Sequence, residues 1–210
     1  MSGLNGLTLA VPRGALFGET LDLLDRLGVD TAEVRGNDRK LLFEEVGIVT
    51  MRPSDVPTYV EAGAADIGIT GKDVLAEQDE RVVYELADLG FGPCRMIFAT
   101  VGGEDPSEEA LRRLGVVRLA TKYPRIATRW AERTGRQAEI VEVKGSVELA
   151  PLTGLAEGIV DLTATGTTLR ENGLVIREDI FPSTARLIAN PVAHKLRAAE
   201  IDDLLERVRA

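Results

Sequence analysis

The sequence contains a single cysteine, Cys94, and a single histidine, His194, among its 210 residues. One cysteine cannot form an internal disulfide, and one histidine excludes a metal cluster built on histidines. Basic residues are also scarce, because 25 Lys and Arg face 34 Asp and Glu and leave a formal net charge of −9. Nucleic acids and anionic membranes bind basic surfaces, so the composition argues against both as partners. Any anion site must therefore be a local concentration of Arg, Lys and backbone N–H groups.

Long apolar runs are absent too. No stretch of the sequence approaches the roughly 20 apolar residues that span a bilayer. The N-terminal segment MSGLNGLTLAVPRG lacks a basic region and a cleavage site of small residues, so it does not have the pattern of a signal peptide. We therefore expect a cytoplasmic protein. Hydrophobic residues make up 44% of the chain, which is ample for one or two compact lobes.

The polar residues with the clearest chemistry follow the apolar segment Gly158–Leu162, which we predict to be a strand. The loop after it carries hydroxyls and one glycine, in the order Thr163, Ala164, Thr165, Gly166, Thr167 and Thr168. A helix is predicted to start at Leu169, so backbone N–H groups, hydroxyls and the helix dipole converge on one point, as in phosphate sites. Read alone, such a loop is more often an ordinary turn capped by Thr. Asp161, directly before the loop, favours a ribose phosphate, because a carboxylate beside a phosphate suits sugar hydroxyls or a metal.

Strands alternate with helices along the chain, which predicts an α/β fold with largely parallel strands. We predict extended segments at residues 7–11, 31–34, 41–43, 47–51, 66–70, 82–86, 95–100, 117–120, 140–143, 158–162 and 185–190. Helices are predicted at residues 16–27 and 124–134, after caps at Ser54, Ser107 and Ser146, from residues 72 and 169, and at residues 193–208.

The two halves of the sequence repeat in the same order. Residues 9–13 match residues 119–125, residues 33–37 match 142–146, and residues 63–71 match 158–166. In the last match, Asp66 aligns with Asp161 and Thr70-Gly71 aligns with Thr165-Gly166. The repeat predicts two similar α/β lobes around a cleft, each with a Thr-Gly loop at its strand ends, where open α/β sheets bind ligands.

The segment Leu89–Pro93 is rich in glycine and carries a proline, which is typical of a hinge. We accordingly divide the chain into lobe I, residues 1–90 plus 181–210, and lobe II, residues 91–180. Lobe II carries the phosphate loop. Two similar lobes around a hinge are also the plan of type II periplasmic binding proteins. A non-enzymatic solute-binding module is therefore the rival interpretation, although the N-terminal segment and the phosphate loop argue against it.

These residues resemble the ATP phosphoribosyltransferase family, whose enzymes begin histidine biosynthesis. The family signature is matched by Glu148, Gly154, Ala156, Ile159, Asp161, Leu162, Thr165, Gly166, Thr168 and Leu169. Further similarity covers residues 12–14, 38–41, 52–60, 66–71, 91–95 and 120–124. One departure lies in the first loop, which commonly reads Pro-Lys-Gly-Arg in the family and here reads Pro12-Arg13-Gly14-Ala15. Charge is kept at Arg13 and lost at Ala15.

The resemblance implies a reaction and a set of partners. The 5-phosphoribosyl group of phosphoribosyl pyrophosphate would move to N1 of ATP, and pyrophosphate would leave. The chain resembles the short form of the family, which works with a separate regulatory subunit related to histidyl-tRNA synthetase, so a homodimer within a hetero-oligomer is expected. Mg²⁺ would be the cofactor and would sit on pyrophosphate oxygens and water rather than in a protein metal site.

The resemblance also implies roles for residues. Arg39 and Arg52 would stabilise the departing pyrophosphate, because guanidinium groups match phosphate oxygens. Sugar-phosphate contacts would come from Glu148, Asp161, Thr163, Ala164, Thr165, Gly166, Thr167 and Thr168, and ATP contacts from Arg13, Asp66, Thr70 and Gly71. Each of these arginines could instead be a solvated surface cation. Glu148 could equally be a carboxylate that favours a helix N-terminus.

Overall fold

The structure is a computed structural model that describes residues 3–209. The chain divides into two compact units: unit 1 runs up to Gly92 and resumes at Thr184, and unit 2 is Pro93–Ser183. The chain first passes from unit 1 to unit 2 between Gly92 and Pro93, within the segment interpreted as a hinge. It returns to unit 1 after Ser183, rather than after residue 180, because a long strand of unit 2 keeps its pairing up to Ser183.

Unit 1 begins with an alternation of strands and helices. Its elements are β1 (Leu9–Pro12), α1 (Phe17–Arg26), α2 (Ala32–Gly36), β2 (Leu42–Phe43), β3 (Ile48–Met51), α3 (Val56–Glu61), β4 (Ile67–Gly71), α4 (Lys72–Glu77) and β5 (Tyr84–Asp88). Unit 2 contains β6 (Cys94–Val101), α5 (Pro106–Leu114), β7 (Val117–Thr121), α6 (Pro124–Arg133), β8 (Ala138–Glu142), α7 (Leu149–Leu152), β9 (Gly158–Thr163), α8 (Thr167–Glu171) and β10 (Leu174–Ser183). The chain then returns to unit 1 with β11 (Ala185–Ala189), α9 (Pro191–Leu196) and α10 (Ala198–Arg209).

Both units have the same sheet plan. The six-stranded sheet of unit 1 has the order β2-β3-β1-β4-β11-β5, and the five-stranded sheet of unit 2 has the order β10-β6-β9-β7-β8. In unit 1, β1 pairs in parallel with β3 and β4, and β11 continues the sheet antiparallel to β4. In unit 2, β7 pairs in parallel with β8 and β9, and β6 continues antiparallel to β9. Each unit therefore brings the carboxyl ends of its parallel strands to one edge, where open α/β sheets bind ligands.

Helices cover both faces of each sheet. In unit 1, α1 buries Leu21 and Leu24 against one face, and α3 packs Val56 against the other. A Cβ on Gly68 would lie 2.6 Å from a methyl group of Val56, so α3 needs a glycine beneath it. In unit 2, α6 places Trp130 on Phe98 of β6, with ring centroids 4.9 Å apart. Burying these side chains supplies the main stabilising free energy of each unit.

Two predictions about secondary structure are wrong, and one strand was not predicted. The segment 31–34 was predicted as a strand, and it begins α2; Val34 is buried while Arg35 forms ion pairs with acidic residues of α1. The strand β10 was missed because charged residues and register shifts interrupt its apolar alternation. The last helix is two helices, α9 and α10, separated at Arg197.

The predicted helix caps are also wrong. The N-cap of α5 is Asp105, whose carboxylate accepts a hydrogen bond from the backbone of Ser107 at 2.9 Å. The helices α3 and α7 begin after Asp55 and Glu148, in both cases without a side-chain cap bond, so neither Ser54 nor Ser146 caps them. Among residues 3–209, no helix is both long enough and apolar enough to cross a membrane.

Candidate active site

A pocket of about 240 Å³ lies at the carboxyl end of β9 in unit 2. It is lined by Ile97, Glu148, Asp161, Leu162, Thr163, Ala164, Thr165, Thr167, Thr168 and Leu169. All the residues that the resemblance assigned to the sugar phosphate line this pocket, with the exception of Gly166. The fold thus brings together residues that are separated in the sequence, since Glu148 lies before α7 and the others follow or belong to β9.

Gly166 allows the backbone turn between β9 and α8. Gly166 has a φ of 71°, in the left-handed region that glycine adopts without steric cost, and it precedes the first residue of α8. Its N–H donates to Thr163 Oγ1 at 3.0 Å. This turn presents Thr165, Thr167 and Thr168 as exposed residues at the pocket. The hydroxyl-rich loop is thereby held open instead of being folded into the core.

The loop hydroxyls contact one another and a neighbouring arginine. Thr165 Oγ1 lies 3.0 Å from Thr167 Oγ1 and accepts a hydrogen bond from the Thr167 N–H at 3.3 Å. Arg170 donates to the Thr165 carbonyl and to Thr167 Oγ1, both at 2.9 Å. Sequence reasoning missed Arg170, which directly follows the family signature. A signal was present, because long helical side chains point toward the helix N-terminus and so toward this loop.

Asp161 is a buried carboxylate in this pocket, with 8% of its surface exposed. Burial raises the pKa of Asp161, and the nearby Glu148 carboxylate raises it further; the Leu162 N–H, at 2.9 Å, and the Lys122 ammonium partly offset this rise. A carboxylate with so little compensation is stabilised by any hydroxyl or cation that enters the pocket. Sequence reasoning did not assign Lys122 to the site, although it directly follows β7 as Arg13 directly follows β1.

Glu148 occupies the position just before α7 and is half-buried at the pocket wall. The alternative interpretation as a helix-favouring carboxylate thus fits its place in the chain, while its presence in the pocket fits a ligand role. Two carboxylates close together need donors or a cation between them. Within residues 3–209, no group of three or more His, Cys, Asp and Glu side chains could by itself hold a metal ion.

In unit 1, the parallel strands bring Arg13, Arg52, Thr70 and Gly71 to the carboxyl edge of the sheet, since they lie at or just after the ends of β1, β3 and β4. The side chains of Arg39 and Arg52 are exposed, and neither takes part in a hydrogen bond or ion pair in the part of the chain that the structure describes. These two guanidinium groups are therefore available to an anionic ligand.

The Arg13 guanidinium, in contrast, is engaged by the protein. It donates to Thr50 Oγ1 at 3.0 Å, to Asp38 at 3.1 Å, and to the carbonyls of Asn37 and Lys40 at 3.1 and 3.0 Å. These hydrogen bonds fix the loop of residues 37–40. Because that loop carries Arg39, the geometry of Arg13 controls where the Arg39 backbone lies.

Thr70 and Asp66 are engaged as well. Thr70 is fully buried, and its hydroxyl donates to the Pro53 carbonyl at 2.9 Å. Asp66 precedes β4 at the amino edge of the sheet, where it accepts hydrogen bonds from the Thr8 N–H at 2.8 Å and from Arg197 at 3.4 Å. The structure therefore does not bring Asp66 to the edge that holds the other residues predicted to bind ATP.

The strand register also corrects the sequence repeat. Leu9 pairs with Ile67 in unit 1, and Leu119, its partner in the repeat, pairs with Gly158 in unit 2. Counting along β4 and β9 from these pairs, Thr70 corresponds to Asp161. Asp66 corresponds to Glu157, so the alignment of Asp66 with Asp161 is wrong.

The hydrogen bonds of the two acidic residues support the corrected register. Asp66 accepts from the Thr8 N–H at 2.8 Å and donates its own N–H to the Thr8 carbonyl. Glu157 makes the same pair of contacts with Arg118, accepting from its N–H at 2.6 Å. Both carboxylates thus hold the start of the central parallel strand of their unit.

Comparison with known proteins gives a consistent result. The family model described as HisG, ATP phosphoribosyltransferase, matches residues 52–210. A protein named ATP phosphoribosyltransferase from Rubrobacter xylanophilus is 53% identical over 208 residues, which cover 98% of this chain and 96% of the relative. A protein of the same name from Caldanaerobacter subterraneus subsp. tengcongensis is 42% identical over 207 residues, covering 97% and 96%.

Solved structures with the same fold include two kinds of protein. The ATP phosphoribosyl transferase (HisG:HisZ) complex from Thermotoga maritima contains a chain that matches with a TM-score of 0.81 and 34% identity, covering 97% of this chain and 96% of that one. The periplasmic aliphatic sulphonate binding protein SsuA from Escherichia coli matches with a TM-score of 0.62 over 96% and 70% of the two chains. At 12% identity the second match shows the fold alone. Together they confirm the predicted α/β fold of the type II periplasmic-binding-protein kind.

Proposed function

Since the chain belongs to the ATP phosphoribosyltransferase family, we propose that it transfers the 5-phosphoribosyl group of phosphoribosyl pyrophosphate to N1 of ATP, the first step of histidine biosynthesis. The bond between C1 of the ribose and the pyrophosphate oxygen breaks, and a bond between C1 and N1 of the adenine forms. The observation that carries the proposal is the pocket of unit 2, where a buried carboxylate adjoins a loop of hydroxyls.

The pocket of unit 2 suits the sugar phosphate. We assign the 5-phosphate to the loop, where Thr165 and Thr168 offer hydroxyls and Gly166 sets the turn. Asp161 and Glu148 then accept hydrogen bonds from the ribose hydroxyls. These hydrogen bonds favour binding, because few donors stabilise the buried charge of Asp161 in the free protein and the ribose hydroxyls supply more.

The two carboxylates also fit Mg²⁺, which prefers oxygen ligands and is usually bound through one or two carboxylates together with substrate phosphates and water. Asp161 and Glu148 would hold the hydrated ion. When bound, the ion neutralises part of the negative charge on the pyrophosphate.

Charge separation defines what the protein must do during the reaction. Positive charge develops on the sugar ring, as in glycoside cleavage, while negative charge develops on the leaving pyrophosphate. We assign Arg39 and Arg52 to this negative charge, because their guanidinium groups are exposed and unengaged within the described residues. No general base is required, because the adenine N1 attacks with its own lone pair. Positioning and electrostatic stabilisation are therefore the main contributions of the protein.

For ATP we propose the carboxyl edge of unit 1, where Arg13, Thr70 and Gly71 lie. Arg13 contributes there mainly by fixing the loop of residues 37–40, because four of its five N–H donors are already used. Asp66 is left out of this assignment, since it lies at the amino edge and holds β1. The loss of charge at Ala15, relative to the common family loop, leaves no second cation in this loop.

The partner proposal rests on the Thermotoga maritima complex. That structure is named as a complex of HisG with HisZ, and its matching chain is covered almost completely by this one. We propose that this chain likewise assembles with a regulatory subunit related to histidyl-tRNA synthetase, as a homodimer within a hetero-oligomer. The helix α10 packs Ile201 and Leu204 into the core of unit 1, so its apolar face is a packing surface.

One assay tests the proposal. The purified chain, with and without the regulatory subunit, is mixed with ATP, phosphoribosyl pyrophosphate and Mg²⁺, and both the absorbance of the coupled nucleotide and the release of pyrophosphate are followed. We expect both products in equal amounts, and much slower formation of both with the variant Asp161→Asn at the same substrate concentrations. Binding of either substrate without turnover under all these conditions would instead support the solute-binding interpretation.

A further inference from the structure

Arg170 belongs to the site but to none of the roles assigned so far. It lies in α8, directly after the signature residue Leu169, and its side chain turns back over the phosphate loop. One nitrogen donates to the Thr165 carbonyl at 2.9 Å, and the other donates to Thr167 Oγ1 at 2.9 Å. An exposed arginine usually contributes little. This one makes both of its hydrogen bonds to residues that line the sugar-phosphate pocket.

The direction of the hydrogen bonds follows from the chemistry of the groups. A guanidinium can only donate, so Thr167 Oγ1 must accept from Arg170. The Thr167 hydroxyl keeps its own proton, and the oxygen within reach of it is Thr165 Oγ1 at 3.0 Å. Thr165 Oγ1 also accepts from the Thr167 N–H. If Thr165 accepts twice in this way, both of its lone pairs are used and its proton is free to point into the pocket.

We propose that Arg170 is a positioning residue that sets up a chain of donors, from Arg170 to Thr167 to Thr165, ending on a phosphate oxygen of the bound sugar phosphate. This inference rests on the proposed function, since it takes the 5-phosphate as the final acceptor. Each donor in such a chain polarises the next, so the last hydroxyl becomes a better donor than an isolated threonine. The cation at the start of the chain supplies the polarisation.

The second hydrogen bond of Arg170 has a related effect. The Thr165 carbonyl oxygen carries partial negative charge and lies in the same loop as the hydroxyls. Facing a phosphate, that oxygen would be repelled. Arg170 covers it with an N–H donor at 2.9 Å, so the loop can present donors to an anion while its carbonyl is satisfied. Both contacts therefore favour the same ligand.

Titration calorimetry on single and double variants distinguishes three possibilities: Arg170 acts through Thr167 and Thr165, Arg170 contacts the ligand directly, or Arg170 has no part in binding. The variants are Arg170→Gln, Arg170→Lys, Thr167→Val and the double variant Arg170→Gln with Thr167→Val. The control is Arg113→Gln, which removes the same charge from an exposed arginine on α5 of the same unit. Each is titrated with phosphoribosyl pyrophosphate in the presence of Mg²⁺ and, separately, with ATP, after thermal unfolding has shown that it is folded.

We expect Arg170→Gln and Thr167→Val each to weaken sugar-phosphate binding about tenfold, in line with the loss of one charge-assisted hydrogen bond. Because both break the same chain, the double variant should be no more than about twofold weaker than the worse single variant. Arg170→Lys should recover part of the affinity. ATP binding should be unchanged in every variant, and Arg113→Gln should bind both substrates like the wild type.

Two results would overturn the inference. If the double variant loses affinity by the product of the single losses, Arg170 and Thr167 contact the ligand independently. If Arg170→Gln binds like the wild type, Arg170 is a surface cation. Failure of the wild type to bind phosphoribosyl pyrophosphate would instead remove the proposed function itself, and this inference with it. The two failures are therefore distinguishable in a single series of titrations.

Discussion

Each unit contains a Thr-Gly pair that follows apolar strand residues, and the two pairs have opposite environments. Thr70 is fully buried and donates its hydroxyl to a backbone carbonyl, whereas Thr165 is exposed at a pocket. Gly71 has an extended φ of −77° and ends β4, while Gly166 has a φ of 71° and lies beyond the end of β9. The dipeptide itself therefore does not determine whether its threonine is buried or open to a pocket. Its position relative to the end of the strand does.

The corrected register extends this comparison to the carboxylates. Asp161 in unit 2 corresponds to Thr70 in unit 1, so a buried acid occupies β9 where β4 has a hydrogen-bonded hydroxyl. Glu157 and Asp66 correspond to each other and hold the same strand contact. Each unit thus has a structural carboxylate at this position. Unit 2 has a second carboxylate, Asp161, whose charge is stabilised by few neighbouring groups. We therefore propose that the second carboxylate is what suits unit 2, and not unit 1, to a sugar phosphate.

The largest effect is expected when Asp161 of β9 is replaced by threonine, the residue at the corresponding position of β4. Asp161→Thr should weaken phosphoribosyl pyrophosphate binding at least about 100-fold, because two hydrogen bonds to a charged group are worth roughly 1.5–3 kcal/mol each. ATP binding should be unaffected. Titration calorimetry with each substrate measures both. A variant that keeps wild-type affinity for the sugar phosphate would show that Asp161 does not meet the ribose.

Arg52 tests whether the cations of unit 1 act on the leaving group. Arg52→Ala should lower kcat by about 100-fold, the cost typical of losing one donor to a developing anion, with a smaller change in substrate affinity. Arg52→Lys should rescue only in part, because it lacks the paired donors of a guanidinium. Rapid-quench measurement of the chemical step separates this from an effect on product release. An unchanged chemical rate would make Arg52 structural.

A smaller change compares the two threonines directly. Thr165→Val should weaken sugar-phosphate binding by about tenfold, because one hydroxyl donor to a charged group is lost. Thr70→Val should leave that affinity unchanged and lower the melting temperature, since it leaves the Pro53 carbonyl without its donor. The pair is measured by calorimetry and thermal unfolding. The comparison fails if Thr70→Val weakens sugar-phosphate binding as much as Thr165→Val does.

The smallest effects concern stability and pH. Burial raises the pKa of Asp161, so its folded value lies above the unfolded value of about 3.9. The charged carboxylate then costs stability at pH values above the folded pKa, and the cost disappears as the pH falls below the unfolded pKa. Asp161→Asn should therefore melt at a higher temperature than the wild type at pH 7, and the difference should shrink as the pH falls toward 4.

Glu157 should behave in the opposite way. Burial by itself raises the pKa of Glu157, but the hydrogen bonds from Arg118 outweigh it and hold that pKa below its usual range. Its contribution to stability is present above the unfolded value of about 4.3 and is lost as the pH falls through the folded pKa. Glu157→Gln should accordingly melt at a lower temperature than the wild type at pH 7, with a smaller difference in acid. Equal behaviour of the two variants across this pH range would contradict the distinction between the acids.

Much of this arrangement could be predicted from the sequence because it is local in the chain. The hydroxyl loop is contiguous, and a strand, a glycine and a helix start in that order indicate an anion site. Lys122 could not be linked to Asp161, because only the parallel register of β7 and β9 brings them close. The engagement of Arg13 depends on the loop of residues 37–40 folding back onto it.

Two other features could not be predicted from the sequence for a different reason. The strand β10 carries charged residues in its middle, so its pattern is not that of a buried strand, and only its pairing with β6 defines it. The repeat alignment followed identical letters, Asp with Asp and Thr-Gly with Thr-Gly. Physical correspondence depends on register. The four-residue shift from Asp66 to Thr70 keeps the side chain on the same face of the sheet but moves it from the amino end to the carboxyl end of β4. The hydrogen bonds between strands therefore identify the corresponding positions of the two units better than matching residue types does.

A crystal structure with phosphoribosyl pyrophosphate and Mg²⁺ bound would test the sugar-phosphate site most directly. We predict that the 5-phosphate lies against Thr165, Gly166 and Thr168, with a ribose hydroxyl within hydrogen-bond distance of Asp161. A sugar phosphate bound instead at the Thr70-Gly71 turn, with the pocket of unit 2 empty, would contradict it.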